Sequence, residues 1–360
     1  MKIFPNTEQR VLYYVDNNNL SMSLSDMFSL LVGNSQITNK EEVETLKKKF
    51  NLTSREVLLN KYREYLEIDP ENEEEELIYH HYFEWSIYES DINKYLNNPY
   101  YQRMKFLNIK DGDYELVTDT YKAYELFPYK DMDEEVDTFI EANSFSFFEK
   151  DFKFLALNYK GVTWMSITPN EIETMEEAVN KAYGKVIVYG LGLGYYPYMI
   201  SLKDEVKEIV IVENDIKIIN LFKKHILPNF EHQEKISIIH GDAFEYMEKC
   251  DDFDYAFIDL WHDTFDGLEL FLRAKKLEKP GKKYFYWLES SFYLLLRRCF
   301  ISLMEEQLAH ADESNYKKSK NITDKVINTY YEKTKSLVIR DSTDFETLLS
   351  SYNLLNLLLK

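Results

Sequence analysis

The chain has 360 residues, 45% of them hydrophobic, which is enough for two or three domains with buried cores. Its 63 acidic and 43 basic residues give a net charge of −20 at pH 7, and polyanions are normally bound by basic surfaces, so a nucleic-acid substrate is not expected. Two cysteines supply no disulfide framework or metal-ligand set, and the sequence has no membrane-spanning apolar stretch and no signal peptide, so we expect a cytoplasmic protein without a membrane partner.

Residues 1–105 are predicted to form a helical domain. Residues 23–26, Asn39 and residues 53–54 have side chains that can cap a helix, and each precedes a stretch with helical spacing of apolar residues. The helices predicted from these caps end near residues 33, 50 and 66.

An acidic run and an aromatic segment complete this domain. Residues 71–76 are interpreted as the solvated start of a helix. Residues 77–101 then interleave aromatic side chains at near-helical spacing and include His80 and His81. The spacing favours packing of this segment over a metal site at the two histidines.

Residues 106–182 are predicted to form a mixed connector with a β-hairpin. The pattern of residues 152–165 is typical of two strands, and residues 160–161 supply a turn between them. Trp164 and Met165 would then fold over a ligand that the next segment binds.

Residues 183–300 are predicted to form a ligand-binding core. Residues 186–189 are continuously apolar, as in a parallel strand that is buried on both faces. Three alternating glycines follow, namely Gly190, Gly192 and Gly194. Glycine allows a sharp turn and close approach to a ligand where a Cβ would collide. The dinucleotide fingerprint would need one more glycine, at the position of Tyr195, so a dinucleotide is not indicated.

The pattern of a strand followed by a helix repeats along this core, and a polar or acidic residue ends each early strand. The next predicted strands are residues 208–213, 235–242, 254–259 and 283–288. The predicted helices between them are residues 215–226, 244–249 and 265–277. Spacings of about 20–28 residues from strand to strand are typical of βαβ units. We therefore expect an α/β fold with a doubly wound, Rossmann-like parallel sheet, whose ligand lies at the carboxyl ends of the strands.

Residues 301–360 are predicted to form a helical C-terminal extension. We expect helices over residues 290–308 and 323–334 and a short strand over residues 337–339. The apolar face of residues 345–359 would dock on the core or on a second subunit, so a homodimer is one expectation.

Residues 184–263 resemble the class I S-adenosylmethionine-dependent methyltransferases. The first motif of that family is a strand followed by Gly-x-Gly-x-Gly, which residues 190–194 match. In the family, the acidic residue that ends the second strand holds both ribose hydroxyls, and an aspartate after the third strand faces the adenine amino group. The resemblance implies S-adenosyl-L-methionine as the cofactor. It implies cofactor contacts at Gly190, Leu191, Gly192, Gly194, Glu213, Asn214, Asp242, Ala243 and Asp259.

Within this superfamily, residues 212–243 are most similar to the spermidine synthase branch. Those enzymes carry Asp-x-x-Asp-Pro after the fourth strand, whereas this chain has Asp259-Leu-Trp-His262-Asp263. The second aspartate is displaced by one residue and the proline is absent. The sequence upstream of the core also has no Tyr-His-Glu segment of the kind that holds the amine in those enzymes.

His262 is the candidate for a general base. It follows Asp259 by three residues and occupies the place of a basic residue in catechol-type methyltransferases. Those enzymes bind a divalent metal with an Asp-Asn pair after the next strand, where this chain has Glu289 and Ser290, so no metal site is expected. Asp259 and His262 are the predicted catalytic residues, and the alternative for His262 is a loop histidine at the rim of the cleft.

These features together predict an S-adenosylmethionine-dependent methyltransferase that acts on a small, non-polyanionic substrate. One alternative is an aminopropyltransferase, similar to spermidine synthase, that acts on an amine. Another is a non-catalytic scaffold that retains the fold. The intact glycine motif, Glu213 and Asp242 favour cofactor binding over the scaffold.

Overall fold

The computed structural model describes the chain except residues 35, 36, 38, 105–107, 311–313, 315, 317 and 318. The predicted boundary between residues 105 and 106 lies outside the described residues, and the division into four domains stays a prediction. The first elements are β1 (Lys2–Ile3), α1 (Pro5–Leu31), α2 (Lys40–Phe50), α3 (Ser54–Tyr65), α4 (Glu73–Ile78), β2 (Ile87–Glu89), α5 (Ile92–Leu96) and α6 (Pro99–Arg103).

The predicted caps of the N-terminal helices are confirmed in two cases and wrong in one. Asn39 caps α2 and Thr53 caps α3, each with a side-chain oxygen that accepts main-chain N–H bonds. No helix starts at residues 23–26, because α1 continues through them. Leu24 and Phe28 are buried on this helix, and their packing outweighs the preference of serine and aspartate for helix ends.

The aromatic segment is less regular than its spacing predicts. It forms a π-helical turn (Tyr79–Phe83) and a 3₁₀ turn (Glu84–Ser86), then β2, α5 and α6. New helices start here because Asp91 and Asn98 cap them. His80 lies between two carboxylates of neighbouring turns, 3.1 Å from each. Within the described ranges, no group of three or more His, Cys, Asp or Glu side chains is placed to hold a metal ion.

The connector contains an antiparallel sheet that includes the predicted hairpin. The strands of the connector are β3 (Ile109–Asp111), β4 (Tyr114–Tyr121), β5 (Phe127–Pro128), β6 (Asp133–Glu134), β7 (Glu141–Ala142), β8 (Phe145–Phe147), β9 (Phe152–Tyr159) and β10 (Val162–Ser166). The larger sheet has the order β10-β9-β4-β3. β9 and β10 are joined at Lys160 and Gly161, and their register shifts at Trp164. Such a bulge redirects a side chain, and Trp164 reaches the cavity described below.

The core contains a five-stranded sheet in which every neighbouring pair is parallel. Its elements are α7 (Pro169–Lys181), β11 (Gly184–Tyr189), α8 (Tyr195–Ser201), β12 (Val206–Glu213), α9 (Ile216–Leu221), β13 (Ile236–His240), α10 (Ala243–Lys249), β14 (Tyr255–Ile258), α11 (Thr264–Lys276), β15 (Lys283–Tyr286) and α12 (Glu289–Leu308). The strand order is β13-β12-β11-β14-β15, so the winding reverses beside β11. The predicted doubly wound, Rossmann-like fold is confirmed.

The C-terminal region is helical but adds no strand to the core among the described residues. Its elements are α13 (Ile322–Thr334), β16 (Val338–Ile339), α14 (Ser342–Leu349) and α15 (Ser351–Leu359). β16 pairs in parallel with β1 instead of joining the five-stranded sheet. α15 packs against α12 and α13 and buries Leu354 completely. Across the described part of the chain, the structure contains no helix with the length and apolar character of a membrane span.

Candidate functional site

The glycine turn after β11 depends on two close approaches of the backbone. Gly190 has φ +94°, and a Cβ placed there would lie 1.9 Å from the carbonyl oxygen of Asp259. Gly194 has φ +78° and caps α8, and a Cβ there would lie 2.4 Å from the ring of Phe222. Both positions therefore exclude a side chain. The turn holds the ends of β11 and β14 in contact and leaves space in front of them.

Glu213 connects the ends of neighbouring strands. One carboxylate oxygen, Oε2, accepts a hydrogen bond from the main-chain N–H of Leu191 at 3.1 Å. The other, Oε1, accepts from the N–H of Asp215 at 2.8 Å. Each oxygen keeps a further lone pair for a ligand donor, and the side chain remains partly exposed. The carboxylate is thus fixed and available for two additional hydrogen bonds.

Asp242 caps α10, as its position before Ala243 allows. Its Oδ1 accepts the N–H of Glu245 at 2.9 Å, and the side chain is exposed. Nearby, the main-chain oxygen of Asn214 accepts a hydrogen bond from His240 Nε2 at 3.0 Å. These contacts set the backbone at the ends of β12 and β13.

A cavity of about 580 Å³ lies in front of the strand ends. Every predicted site residue lines it: Gly190, Leu191, Gly192, Gly194, Glu213, Asn214, Asp242, Ala243, Asp259 and His262. The hairpin contributes the opposite wall through residues 163–167, including Trp164 and Met165. The Tyr114 hydroxyl of this sheet donates to Asp215 Oδ2 at 2.8 Å, which ties the wall to the core.

The carboxyl groups of Asp259 and Glu171 both line the cavity and interact electrostatically. Burial raises the pKa of Asp259 from 3.8 to about 7, and the negative charge of Glu213 raises it further in the same direction. Burial and the negative charge of Asp259 hold the pKa of Glu171 well above its usual range. A positive ligand group between these side chains would stabilise their ionised forms.

Like Arg273, Glu171 is a site residue that the sequence did not predict. It lies three residues after Thr168, which is the spacing of a capping box, and Thr168 does cap α7. The Glu171 side chain does not accept a hydrogen bond from the main-chain N–H of Thr168, as it would in a capping box. It lines the cavity instead. The available signal was the sequence Thr168-Pro169-Asn170-Glu171, which is typical of a helix start and comes just before the glycine strand, because such a helix end lies near the ligand edge of the sheet.

His262 lies at the mouth of the cavity, and a carboxylate holds it there. Its Nδ1 is 2.9 Å from Asp266 Oδ2, and its main-chain N–H donates to Asp266 Oδ1 at 3.1 Å. Asp263 and Asp266 form a capping box at the start of α11, so this carboxylate is fixed. The Trp164 ring lies 6.3 Å from the imidazole, centre to centre.

The opposite end of the cavity carries its permanent positive charge. Among the described residues that line the cavity, Arg273 is the one arginine or lysine. Its guanidinium group lies 3.9 Å from the centre of the Phe244 ring. Phe244 follows Asp242 and Ala243 in the chain, so this cation lies on their side of the cavity, and it is not among the charges that shift the pKa of Asp259 or Glu171.

Residues 171–275 match the family model of the spermine/spermidine synthase domain. The matched segment begins at Glu171 and ends within α11, so it contains the strand ends that form the site. For these residues the match confirms the resemblance to the spermidine synthase-like branch of the class I methyltransferase superfamily. It supports a transferase with the fold that these enzymes share.

Several solved structures are similar to the chain. Spermidine synthase from Thermotoga maritima is 18% identical, with coverage of 42% of this chain and 60% of that chain and a TM-score of 0.29. A spermidine synthase in complex with the transition-state analogue AdoDATO is 19% identical, with coverage of 42% and 60% and a TM-score of 0.32. Precorrin 8w decarboxylase from Methanobacterium thermoautotrophicum is 15% identical, with coverage of 33% and 63% and a TM-score of 0.27.

The chain therefore spans about 60% of the length of these structures. No curated protein sequence matches the chain.

Proposed function

We propose that the chain transfers an aminopropyl group from decarboxylated S-adenosylmethionine to an amine. The observation that carries this proposal is the distribution of charge in the cavity. Carboxyl groups surround the end that would hold the sulfonium side chain, and the permanent cation lies at the other end. The match of residues 171–275 to a spermine/spermidine synthase domain supports the same activity.

The nucleoside part of the donor fits the strand ends. In this proposal Glu213 accepts hydrogen bonds from both ribose hydroxyls, because each of its oxygens has one lone pair left beside its main-chain contact. Asp242 accepts from the adenine amino group with the oxygen that does not cap α10, and Ala243 presents its backbone to the ring. The glycine turn at Gly190 leaves room for the sulfur.

The sulfonium side chain distinguishes two possible donors. S-adenosylmethionine ends in an ammonium and a carboxylate, whereas its decarboxylated form ends in an ammonium alone. An ammonium between Asp259 and Glu171 would restore the ionisation that burial opposes. A ligand carboxylate at the same place would add a further negative charge beside Asp259 and Glu171. Among the described residues that line the cavity, no arginine or lysine lies at this end to balance that charge. The charge therefore favours the decarboxylated donor.

The acceptor is proposed to be a small aliphatic amine. A protein with a net charge of −20 attracts cations, and a carboxylate-rich cavity binds them. The enzyme would mainly align the amine with the carbon next to sulfur and exclude water. A small non-polyanionic substrate, without nucleic acid or membrane, was also expected from the composition.

Methyl transfer from S-adenosylmethionine is the second candidate. It is favoured by His262, which stands where the spermidine synthase motif has its second aspartate. In this alternative the same nucleoside contacts hold S-adenosylmethionine, and the acceptor is a small molecule that need not be an amine.

Calorimetry with matched ligands tests the choice. The purified chain would be titrated at pH 8 with S-adenosylmethionine, its decarboxylated form, S-adenosylhomocysteine and 5′-methylthioadenosine. We expect the decarboxylated form to bind at least about tenfold more tightly than S-adenosylmethionine, a difference of about 1.4 kcal/mol. Equal or weaker binding would contradict the charge argument and leave methyl transfer as the better assignment. Binding of none of the four would indicate a scaffold without this ligand.

Turnover then identifies the reaction. Aminopropyl transfer releases 5′-methylthioadenosine, whereas methyl transfer releases S-adenosylhomocysteine. Incubation with either donor and a series of diamines, followed by chromatography of the nucleosides, would separate the two activities. Aminopropyl transfer predicts 5′-methylthioadenosine release that depends on the diamine.

A further inference from the structure

We propose that His262 accepts the proton of the attacking amine, and that Asp266 acts as the positioning residue that holds the imidazole for this task. This inference rests on the proposed transferase function and assigns a base to it. Neither the family match nor the strand-end contacts assign this pair.

The imidazole of His262 is oriented by a hydrogen bond to Asp266. Asp266 occupies Nδ1 at 2.9 Å, so in the neutral ring Nδ1 carries the hydrogen and Nε2 carries the lone pair. Within the part of the chain that the structure describes, Nε2 of His262 has no hydrogen-bond partner. The ring lines the cavity, so the free nitrogen is available to a ligand there.

Main-chain hydrogen bonds hold the pair of His262 and Asp266 in place. Asp266 accepts main-chain N–H bonds from His262 and Asp263 as well as the imidazole contact. The Trp164 ring lies near the imidazole, at a tilt of 32°. A carboxylate with three donors around it has little freedom to rotate, and it would also stabilise the imidazolium that forms after proton transfer.

His262 is more exposed than the two cavity carboxyl groups, Asp259 and Glu171. The His262 side chain is 57% exposed, so a proton that it accepts can pass to water. Asp259 and Glu171 are only partly exposed and, in the proposed function, hold the positive group of the donor. Two tasks are thus divided between two kinds of group: carboxylates bind charge, and the imidazole moves the proton.

The proton and electron balance is simple. The ammonium of the acceptor gives one proton to Nε2 and becomes a neutral amine. The nitrogen lone pair then forms the new C–N bond as the C–S bond breaks, and the bonding pair stays on sulfur to give a neutral thioether. The imidazolium returns its proton to solvent. No oxidant, reductant or metal is required.

The test compares H262Q and D266N with the wild-type chain and with H232Q. His232 is the matched control, because its Nδ1 lies 3.2 Å from Glu234 in a similarly exposed pair that does not line the cavity. Steady-state rates would be measured from pH 5.5 to 9 with decarboxylated S-adenosylmethionine and a diamine to give kcat and KM, and donor affinity would be measured by calorimetry.

We expect H262Q to lower kcat at pH 7.5 by about 10²–10³-fold, with the donor affinity unchanged within about twofold. D266N keeps a side-chain oxygen for the helix cap and should lower kcat by about tenfold. It should also shift the midpoint of the kcat profile to lower pH, because the imidazolium loses its stabilising charge. H232Q should match the wild-type chain.

The pH profile must separate His262 from its titratable neighbours. Asp263 and Asp266 belong to the start of α11, which directly follows His262. Asp259, Glu171, Glu213, Asp242 and Arg273 share the cavity with it. Ionisation of Asp259 should change the donor affinity and thus KM, whereas ionisation of His262 should change kcat. The kcat limb must therefore disappear in H262Q while the limb in donor affinity remains.

The possible failures are distinguishable. If H262Q retains a kcat within threefold of the wild-type value, or if D266N leaves the kcat profile in place, the assignment of the base is overturned and the transferase function stands. If the wild-type chain transfers no group from either donor, the proposed function is overturned, and this assignment falls with it.

Discussion

Replacement of Asp259 by asparagine should stabilise the protein above neutral pH while it weakens donor binding. Burial and the charge of Glu213 raise the pKa of Asp259 in the folded chain to about 7, whereas its ordinary value is 3.8. Below about pH 4 the carboxyl group is protonated in both the folded and the unfolded chain, so it has no effect on the pH dependence. Between about pH 4 and pH 7 the folded chain retains a proton that the unfolded chain has released, and stability falls as the pH rises.

The size of this effect can be estimated from the pKa difference. A difference of about three units corresponds to at most about 4 kcal/mol at pH 8, because each unit is 1.36 kcal/mol. The carboxyl group faces a cavity that is open to solvent, which screens part of this energy, so we expect about 1–2 kcal/mol. Its side chain makes no hydrogen bond among the described residues, and asparagine has the same shape, so little is lost in exchange.

Differential scanning calorimetry of wild type and D259N from pH 4.5 to 8.5 would measure the difference. We expect the melting temperatures to converge near pH 4.5 and to separate by about 2–5 °C at pH 8, with D259N higher. The control is D252N, because the exposed Asp252 carboxylate bonds Lys185, which lowers its pKa and reverses the expected sign. A D259N variant that is less stable than wild type at pH 8, or a difference independent of pH, would refute the reasoning.

Further predictions concern the other groups of the site. Glu213→Ala should weaken binding of 5′-methylthioadenosine by about 100-fold in calorimetry while circular dichroism shows a folded protein; unchanged affinity would exclude the ribose assignment. Glu171→Gln should reduce the preference for decarboxylated over ordinary S-adenosylmethionine to less than about threefold in the same assay, and a preserved preference would remove Glu171 from the charge argument. Gly190→Ala should lower the free energy of unfolding in urea by about 3 kcal/mol or more, because its Cβ would lie 1.9 Å from a carbonyl oxygen. Gly161 also has a positive φ, +83°, but has open space around it, so Gly161→Ala should lower the free energy of unfolding by about 1 kcal/mol.

The parallel sheet could be predicted from the sequence because its physical signature is local. Strands that are buried on both faces must be apolar throughout, as residues 186–189 are, and turns that approach a ligand need glycine. The residues at the strand ends are then brought together by the topology alone. For this reason Glu213, Asp242 and Asp259 could be placed at one edge before any contact was known.

The features that could not be predicted correctly depend on competition between local and distant contacts. Residues 23–26 have the chemistry of a helix start, but buried neighbours keep them inside α1. The short strand predicted over residues 337–339 does form, at residues 338–339, but its partner could not be predicted, because it pairs with residues 2–3 at the other end of the chain. Pairing across such a distance leaves no periodic signal in either segment.

The residues of the site also differ in whether local sequence patterns can predict them. Local signals identified the nucleoside contacts at the strand ends, and these are equally suited to either sulfonium donor. Two groups distinguish the donors: the carboxyl group of Glu171 and the guanidinium group of Arg273 at the opposite end of the cavity. In the sequence, Glu171 has the spacing of a helix-capping residue, which gives no indication that it lines the cavity. His262 could be predicted as a site residue from the sequence. Its tautomer is set by a hydrogen bond with Asp266, which the spacing of residues 262 and 266 in the sequence does not specify. The fold can therefore be inferred from strand patterns, whereas the choice between aminopropyl and methyl transfer depends on charges that only the folded chain brings together.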